Sequence, residues 1–160
     1  MSQTIVVPLD LNHELVLDSV FGAVERARLD DRDRIVLLNV IPQIDVGDFP
    51  YVATDQVRAL GEHAKQALAD IAVRHLAPGV AWEADVRVGP VARTIVRRAD
   101  YFDADLIVMA SHNPAFWDVL LGSTASQVVK HARHSVLVVR QKAIADDDPA
   151  RADQSRNALD

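Results

Sequence analysis

Two places in the chain carry residue types that can hold a phosphorylated ligand. Gly122-Ser123-Thr124 puts a glycine and two hydroxyls where an apolar helical stripe begins. The first turn of a helix offers unpaired N–H groups and the positive end of the helix dipole, and phosphate is a frequent occupant. The competing reading is that Ser123 only caps its own helix, the commoner use of Ser and Thr at a helix start. On the tripeptide alone the cap is favoured. Asp10 closes an apolar run. There it can accept a hydrogen bond from a ribose hydroxyl or an adenine amine, or it can cap the next turn. His112 lies in the stretch between residues 111 and 121 and is the general-base candidate nearest this region.

Other chemistries lack their residues. There is no cysteine, which excludes disulfides, thiolate nucleophiles and cysteine-based metal centres. No GxxxxGK[ST] run is present, no GxGxxG follows the first apolar run, and no serine sits in a GxSxG elbow. The six histidines form neither HxH nor HExxH, so no metal site is expected. Arg93, Arg97 and Arg98 fall on one helical segment, Lys130 and Arg133 on another, and both read as solvated faces. With a net charge of -6, nucleic-acid binding is not expected. The start MSQTIVVPLD lacks the charged n-region and cleavage site of a signal peptide. No apolar run approaches the roughly 20 residues that cross a bilayer. The expectation is a cytoplasmic protein without membrane insertion.

These residues need a frame. TIVVPL at Thr4–Leu9, RIVLLNVI at Arg34–Ile41, DLIVMA at Asp105–Ala110 and SVLVV at Ser135–Val139 are near-continuous apolar runs, as in strands buried on both faces. Glu83–Val88 alternates and reads as a strand near an edge. Between the runs the period changes to that of a helix. Asn12 is the expected cap of a first helix with Val16, Val20 and Val24 inward. Thr54 is the expected cap of a second, with Leu60, Ala64 and Leu68 inward. Gly89-Pro90 opens a third, carrying Val91, Ile95 and Ala99. The fourth follows Gly122, with Ala125, Val128, Val129 and Ala132 on one stripe. Pro42–Asp55 reads as irregular, with Phe49 and Tyr51 packing on the sheet rim or covering a base. Residues 142–160, with the DDD run at Asp146–Asp148, read as an acidic disordered tail after a single domain spanning 1–141. Strands alternating with helices make an open, doubly wound α/β sheet, whose default ligand site is the crevice at the carboxyl ends of the strands.

Taken in order, IVVPLD, LLNVI, VRVGPVARTIVRRA, DLIVMASH and LLGSTASQVVKHARHSVLVVR resemble the universal stress protein family. They resemble most its branch with ASH-x-P in the fourth loop. The likeness covers roughly residues 3 to 140. It implies a flavodoxin-like sheet of five parallel strands in the order 3-2-1-4-5, with four helices. It also implies ATP in the crevice, with Mg carried by the phosphates. By that resemblance Asp10 and Val40 meet the adenine and ribose, and Pro8 and Ile41 beside them are nucleotide-binding residues. Ala110 and Asn113 occupy the two early glycine positions of the family signature, with Ser111 and His112 between them as nucleotide-binding residues, and Gly122 and Ser123 hold phosphate with Thr124 beside them. The family signature, Gly-x-x-Gly, nine residues, then Gly-Ser or Gly-Thr, is altered here. Ala110 and Asn113 replace both early glycines, and eight residues separate Asn113 from Gly122.

No Lys or Arg occurs from Ala110 through Val129, so the chain itself supplies no fixed cation to a phosphoryl transfer. The expected protein is a nucleotide-dependent regulator of the stress response, at most a slow ATPase or autophosphorylating protein. The alternative is a nucleotide-free dimeric adaptor of the same fold. The last strand is apolar and lies at a sheet edge. The resemblance implies a homodimer through Ser135–Arg140, with unidentified protein partners beyond it.

Overall fold

The computed structural model describes residues 2–42, 50–111 and 121–140, with backbone alone for 50–54. Among these residues the chain forms β1 (Thr4–Pro8), a 3-10 turn (Glu14–Val16), α1 (Leu17–Ala27), β2 (Arg34–Ile41), α2 (Pro50–His75), β3 (Ala81–Val88), α3 (Val91–Tyr101), β4 (Leu106–Ala110), α4 (Ser123–His131) and β5 (Ser135–Val139). The strands make one parallel sheet in the order β3-β2-β1-β4-β5. This is the expected flavodoxin-like arrangement.

Side chains alternate across the sheet, and both faces are covered. Ile5, Val7, Ile35, Leu37 and Val108 point to one side, where Val20 and Val24 of α1 and Leu68 and Ile71 of α2 meet them. Val6, Val36, Leu38, Ile107 and Met109 point to the other, against Ile95 and Ala99 of α3 and Ala125 and Val128 of α4. Double coverage explains why the inner strands are unbroken apolar runs while the edge strand β3 alternates.

Several boundaries and faces differ from expectation. α2 begins at Pro50, not Thr54. Proline suits a first helical turn because its missing N–H is one that the helix leaves unpaired anyway. The reading of Pro42–Asp55 as irregular therefore fails from Pro50 onward. Its remainder, with Phe49, lies outside the described residues, as does the side chain of Tyr51. Asn12 caps no helix: α1 starts at Leu17 after the 3-10 turn, and Asn12 instead donates to Asp10. β3 starts two residues earlier than Glu83 because Ala81 is in register with Arg34. Val129 faces solvent, since Ala125 and Val128 already fill the contact with the sheet. Arg98 is no solvated residue. Its Nε donates to Asp85 Oδ2 at 2.5 Å, and its guanidinium lies 4.0 Å from the Tyr101 ring centroid and 4.8 Å from that of Phe102. The tail 142–160 lies outside the described residues.

Candidate functional site

α1, the helix after β1, and α4, the helix after β4, pack on opposite faces of the sheet, and a cleft of about 480 Å³ lies at the carboxyl ends of β1, β2 and β4. Crevices at such switch points are where open α/β sheets bind ligands. Pro8, Asp10, Val40, Ile41, Ala110 and Thr124 line it, six of the residues expected at a site. Ser111, Gly122 and Ser123 are described but are not among the lining residues. His112 and Asn113 lie outside the described residues.

Local hydrogen bonds place Asp10. Leu9 N–H donates to Leu38 O at 2.8 Å, and Asn39 Nδ2 donates back to Leu9 O at 2.9 Å. This pair ties the end of β1 to the end of β2, so the next residue emerges at the cleft. The Asp10 carboxylate then gathers its own turn. Its Oδ1 accepts from Asn12 N–H at 3.0 Å and from Asn12 Nδ2 at 3.2 Å. His13 Nδ1 stands 2.8 Å from Oδ2. An ionised carboxylate only accepts, so Nδ1 carries the proton in this pair. Partial burial pushes the Asp10 carboxyl up. The Asn12 N–H and the His13 imidazole more than offset this and hold it below the usual carboxylate value. Asp10 therefore both caps its turn and presents a negative charge to the cleft.

The other walls come from three elements. Gly89 N–H donates to Ile41 O at 3.0 Å, which fixes the end of β2 and starts α3 beside the cleft, with Val91 and Ile95 lining it. Ser111 N–H donates to Val139 O at 2.8 Å, holding the chain as it leaves β4. At α4 the N-cap is Gly122, with φ -53 and no side-chain capping bond. Ser123 is exposed and does not cap its helix, which sets aside the reading the tripeptide favoured. Ser126 takes a local role instead, donating from Oγ to Leu121 O at 3.1 Å.

The cleft also contains residues that sequence reasoning passed over. Asn39, Leu38 and Met109 line it from the strands, His13 from the first turn and His63 from α2. Asn39 had a legible signal, being the lone polar residue inside the run RIVLLNVI. His63 was legible only as the neighbour of Ala64, which the helical stripe turns inward. Arg and Lys are absent from the described lining residues. The walls are thus mainly apolar, with one carboxylate, two imidazoles, an asparagine pair and a threonine hydroxyl. Such a surface can receive a flat apolar group and a few hydrogen-bonding ones.

Comparison with known proteins agrees with this architecture. Universal stress protein G of Escherichia coli O157:H7 is 33% identical over 144 residues, covering 88% of this chain and 100% of that protein. The solved universal stress protein UspA of Lactobacillus plantarum is 25% identical, with a TM-score of 0.67 over 86% of this chain and 97% of that one. More distant solved structures share the fold. One is a universal stress protein in complex with cAMP (22% identity, TM-score 0.61, 88% of this chain and 98% of that one). Another is the Archaeoglobus fulgidus protein in complex with dAMP (21%, 0.55, 86% and 97%). A third is an Arabidopsis thaliana family protein with AMP bound (19%, 0.59, 92% and 98%). The model of the universal stress protein family matches residues 1–140, all five strands included, and the chain belongs to that family.

Proposed function

We propose that the cleft binds an adenine nucleotide and that occupancy, rather than turnover, is the output of this stress-family protein. One observation carries the reading: Asp10, Val40, Ala110 and Thr124, from the ends of β1, β2 and β4 and the start of α4, converge on one mainly apolar cleft. Its volume of about 480 Å³ lies within the ~300–1,000 Å³ common for small-molecule sites. Apolar walls suit a purine, and ionised Asp10 suits a ribose hydroxyl or the adenine amine. Ala110 to Asn113 and Gly122 to Thr124 are the phosphate side of the proposal. ATP, with Mg on its phosphates, is the ligand the family resemblance implies. The cAMP, dAMP and AMP of the distant neighbours support the adenosine part. Regulation is favoured over catalysis because the described lining supplies no Lys or Arg to a phosphoryl group in transit.

A second reading is a nucleotide-free dimeric adaptor. Ala110 and Asn113 at the two early glycine positions favour it, since a Cβ hinders close approach of backbone to phosphate. Under either reading we take 1–141 as the folded unit, located in the cytoplasm and paired with a second copy through β5. Calorimetric titration with Mg-ATP separates the two readings. Micromolar binding, weakened about tenfold or more by Asp10→Ala and by Ser123→Ala, is expected; tenfold corresponds to about 1.4 kcal/mol. Folded, nucleotide-free protein that takes up no ATP would leave the adaptor.

A further inference from the structure

We propose that Asn39 reads the base: its Oδ1 is the acceptor that selects a 6-amino purine over a 6-oxo one. The inference rests on the nucleotide reading above and adds to it a specificity-determining side chain. Asp33, Asn39 and Asp85 are the buried polar side chains among the described residues. Both oxygens of Asp33 and both of Asp85 have donors within hydrogen-bond or ion-pair distance. Asn39 differs. It is 8% exposed and lines the cleft, its Nδ2 donates to Leu9 O at 2.9 Å, and no donor among the described residues reaches its Oδ1. Nor is Oδ1 sealed in, since the sealed side-chain atoms without a partner among the described residues are Arg28 Nε and Glu83 Oε1. Oδ1 therefore opens into the cleft.

The chemistry of Leu9 O fixes which end of the amide faces the ligand. A carbonyl oxygen only accepts, so Asn39 must turn its nitrogen to Leu9, and the reverse orientation would set two acceptors together. Leu9 is itself held, donating its N–H to Leu38 O at 2.8 Å. The acceptor is thus oriented before a ligand arrives. Its position relative to the walls says which part of a nucleotide it meets. Leu9, Leu17 and Val20, all core residues, line the cleft on the same side of the sheet as Asn39, whereas the Asp10 side chain is 55% exposed at the rim. The base is the least polar part of a nucleotide, so the apolar floor receives it and Asp10 takes the ribose. Adenine carries two N–H donors on its 6-amino group, whereas a 6-oxo purine presents an acceptor there. Burying an amide oxygen unmatched is unfavourable, and a ligand donor removes that cost.

The test titrates the full chain with three triphosphates that differ only at purine C6: ATP, inosine triphosphate (6-oxo) and purine riboside triphosphate (6-hydrogen). They share ribose and phosphates, so the altered positions Ala110 and Asn113 cancel from the comparison. Wild type is expected to bind ATP about fivefold to tenfold tighter than the 6-hydrogen analogue, which leaves Oδ1 unpaired. Inosine triphosphate, which opposes two acceptors, should bind more weakly still. Asn39→Leu removes the acceptor and should hold all three within about twofold of one another. A residue that only ties β1 to β2 would weaken the three by one common factor and keep their ranking. 2′-Deoxy-ATP is the control for the sugar, and its affinity relative to ATP should be the same in wild type and Asn39→Leu. Three results overturn the inference by itself: wild type that binds ATP without preferring the 6-amino group, a ranking kept by Asn39→Leu, or an Asn39→Leu loss that follows the 2′-hydroxyl instead of the amine. The wild-type ranking needs no variant, so it decides even where Asn39→Leu fails to fold. Folded wild type that binds none of these nucleotides overturns the nucleotide reading, and the inference with it.

Discussion

Asp33 shows how one side chain sets local geometry far from the cleft. It is fully buried, and its oxygens accept four bonds: Gln3 N–H at 2.9 Å, Leu29 N–H at 2.7 Å, Asp30 N–H at 3.2 Å and Gln3 Nε2 at 3.1 Å. These join the start of β1 to the connection between α1 and β2. Burial pushes the carboxyl up. The backbone N–H groups of Gln3, Leu29 and Asp30, with the Gln3 side chain, more than offset it and hold the carboxyl below its ordinary value. A carboxyl depressed by folding adds stability that is fully present above the unfolded-state value of about 3.9 and is lost as pH falls through the folded value. Asp33→Asn, which cannot accept as many bonds, is expected to lose about 2 kcal/mol at neutral pH. It should also show a shallower loss of stability below about pH 4. Urea unfolding over a pH series reads both. A variant as stable as wild type at neutral pH would show that the four bonds contribute little. In the sequence, Asp33 stands in LDDRDR beside Asp30 and Asp31, and nothing in residue type marks it as the buried one.

At the scale of elements, the join between β3 and α3 is the sharpest constraint on the cleft wall. Gly89-Pro90 was legible as a break, and Pro90 takes the N-cap position of α3. The conformation was not legible. Gly89 has φ +153, and a Cβ built there would stand 2.9 Å from Thr94 Oγ1. Glycine is needed for the backbone angle and for the close approach of the first turn of α3. Gly89→Ala is expected to destabilise by about 1–3 kcal/mol. Adding Thr94→Ala should recover the steric part and leave the backbone part. Chemical denaturation of the single and double variants checks this, and a neutral Gly89→Ala would mean that the turn relaxes freely. Because Gly89 N–H holds Ile41 O, the single variant should also weaken ligand binding through the end of β2.

For the whole molecule, the two sheet edges differ. β3 is polar and alternating, with Arg34–Glu83 and Arg87–Asp85 ion pairs on it. β5 is apolar yet only half-buried, and Leu137 is 39% exposed. An apolar edge strand invites pairing with another strand, and the proposed partner is a second copy of the chain. Sedimentation is expected to find a dimer. Leu137→Asp is expected to give a folded monomer that still binds nucleotide, since β5 supplies no residue to the described cleft lining. Wild-type protein that stays monomeric over a wide concentration range would end this proposal.

The order and type of the elements, the parallel sheet and the apolar edge were readable from sequence alone. They follow from local periodicity: strands covered on both faces are continuous apolar runs, and helices repeat near every 3.6 residues. The strand order came from family resemblance, because periodicity does not say which strands are neighbours. Asp10 and Val40 were legible as candidates because they stand at the carboxyl ends of such runs. What the tertiary structure alone decided are meetings across sequence distance. Asn39 reaches Leu9 over 30 positions, Asp33 reaches Gln3 over 30, and Arg98 reaches Asp85 over 13. Asn12 binds Asp10 instead of capping a helix, and Ser123 leaves the start of α4 uncapped. A polar side chain's partner is set by which chain segments fold beside it. Residue type fixes only what that side chain can donate or accept.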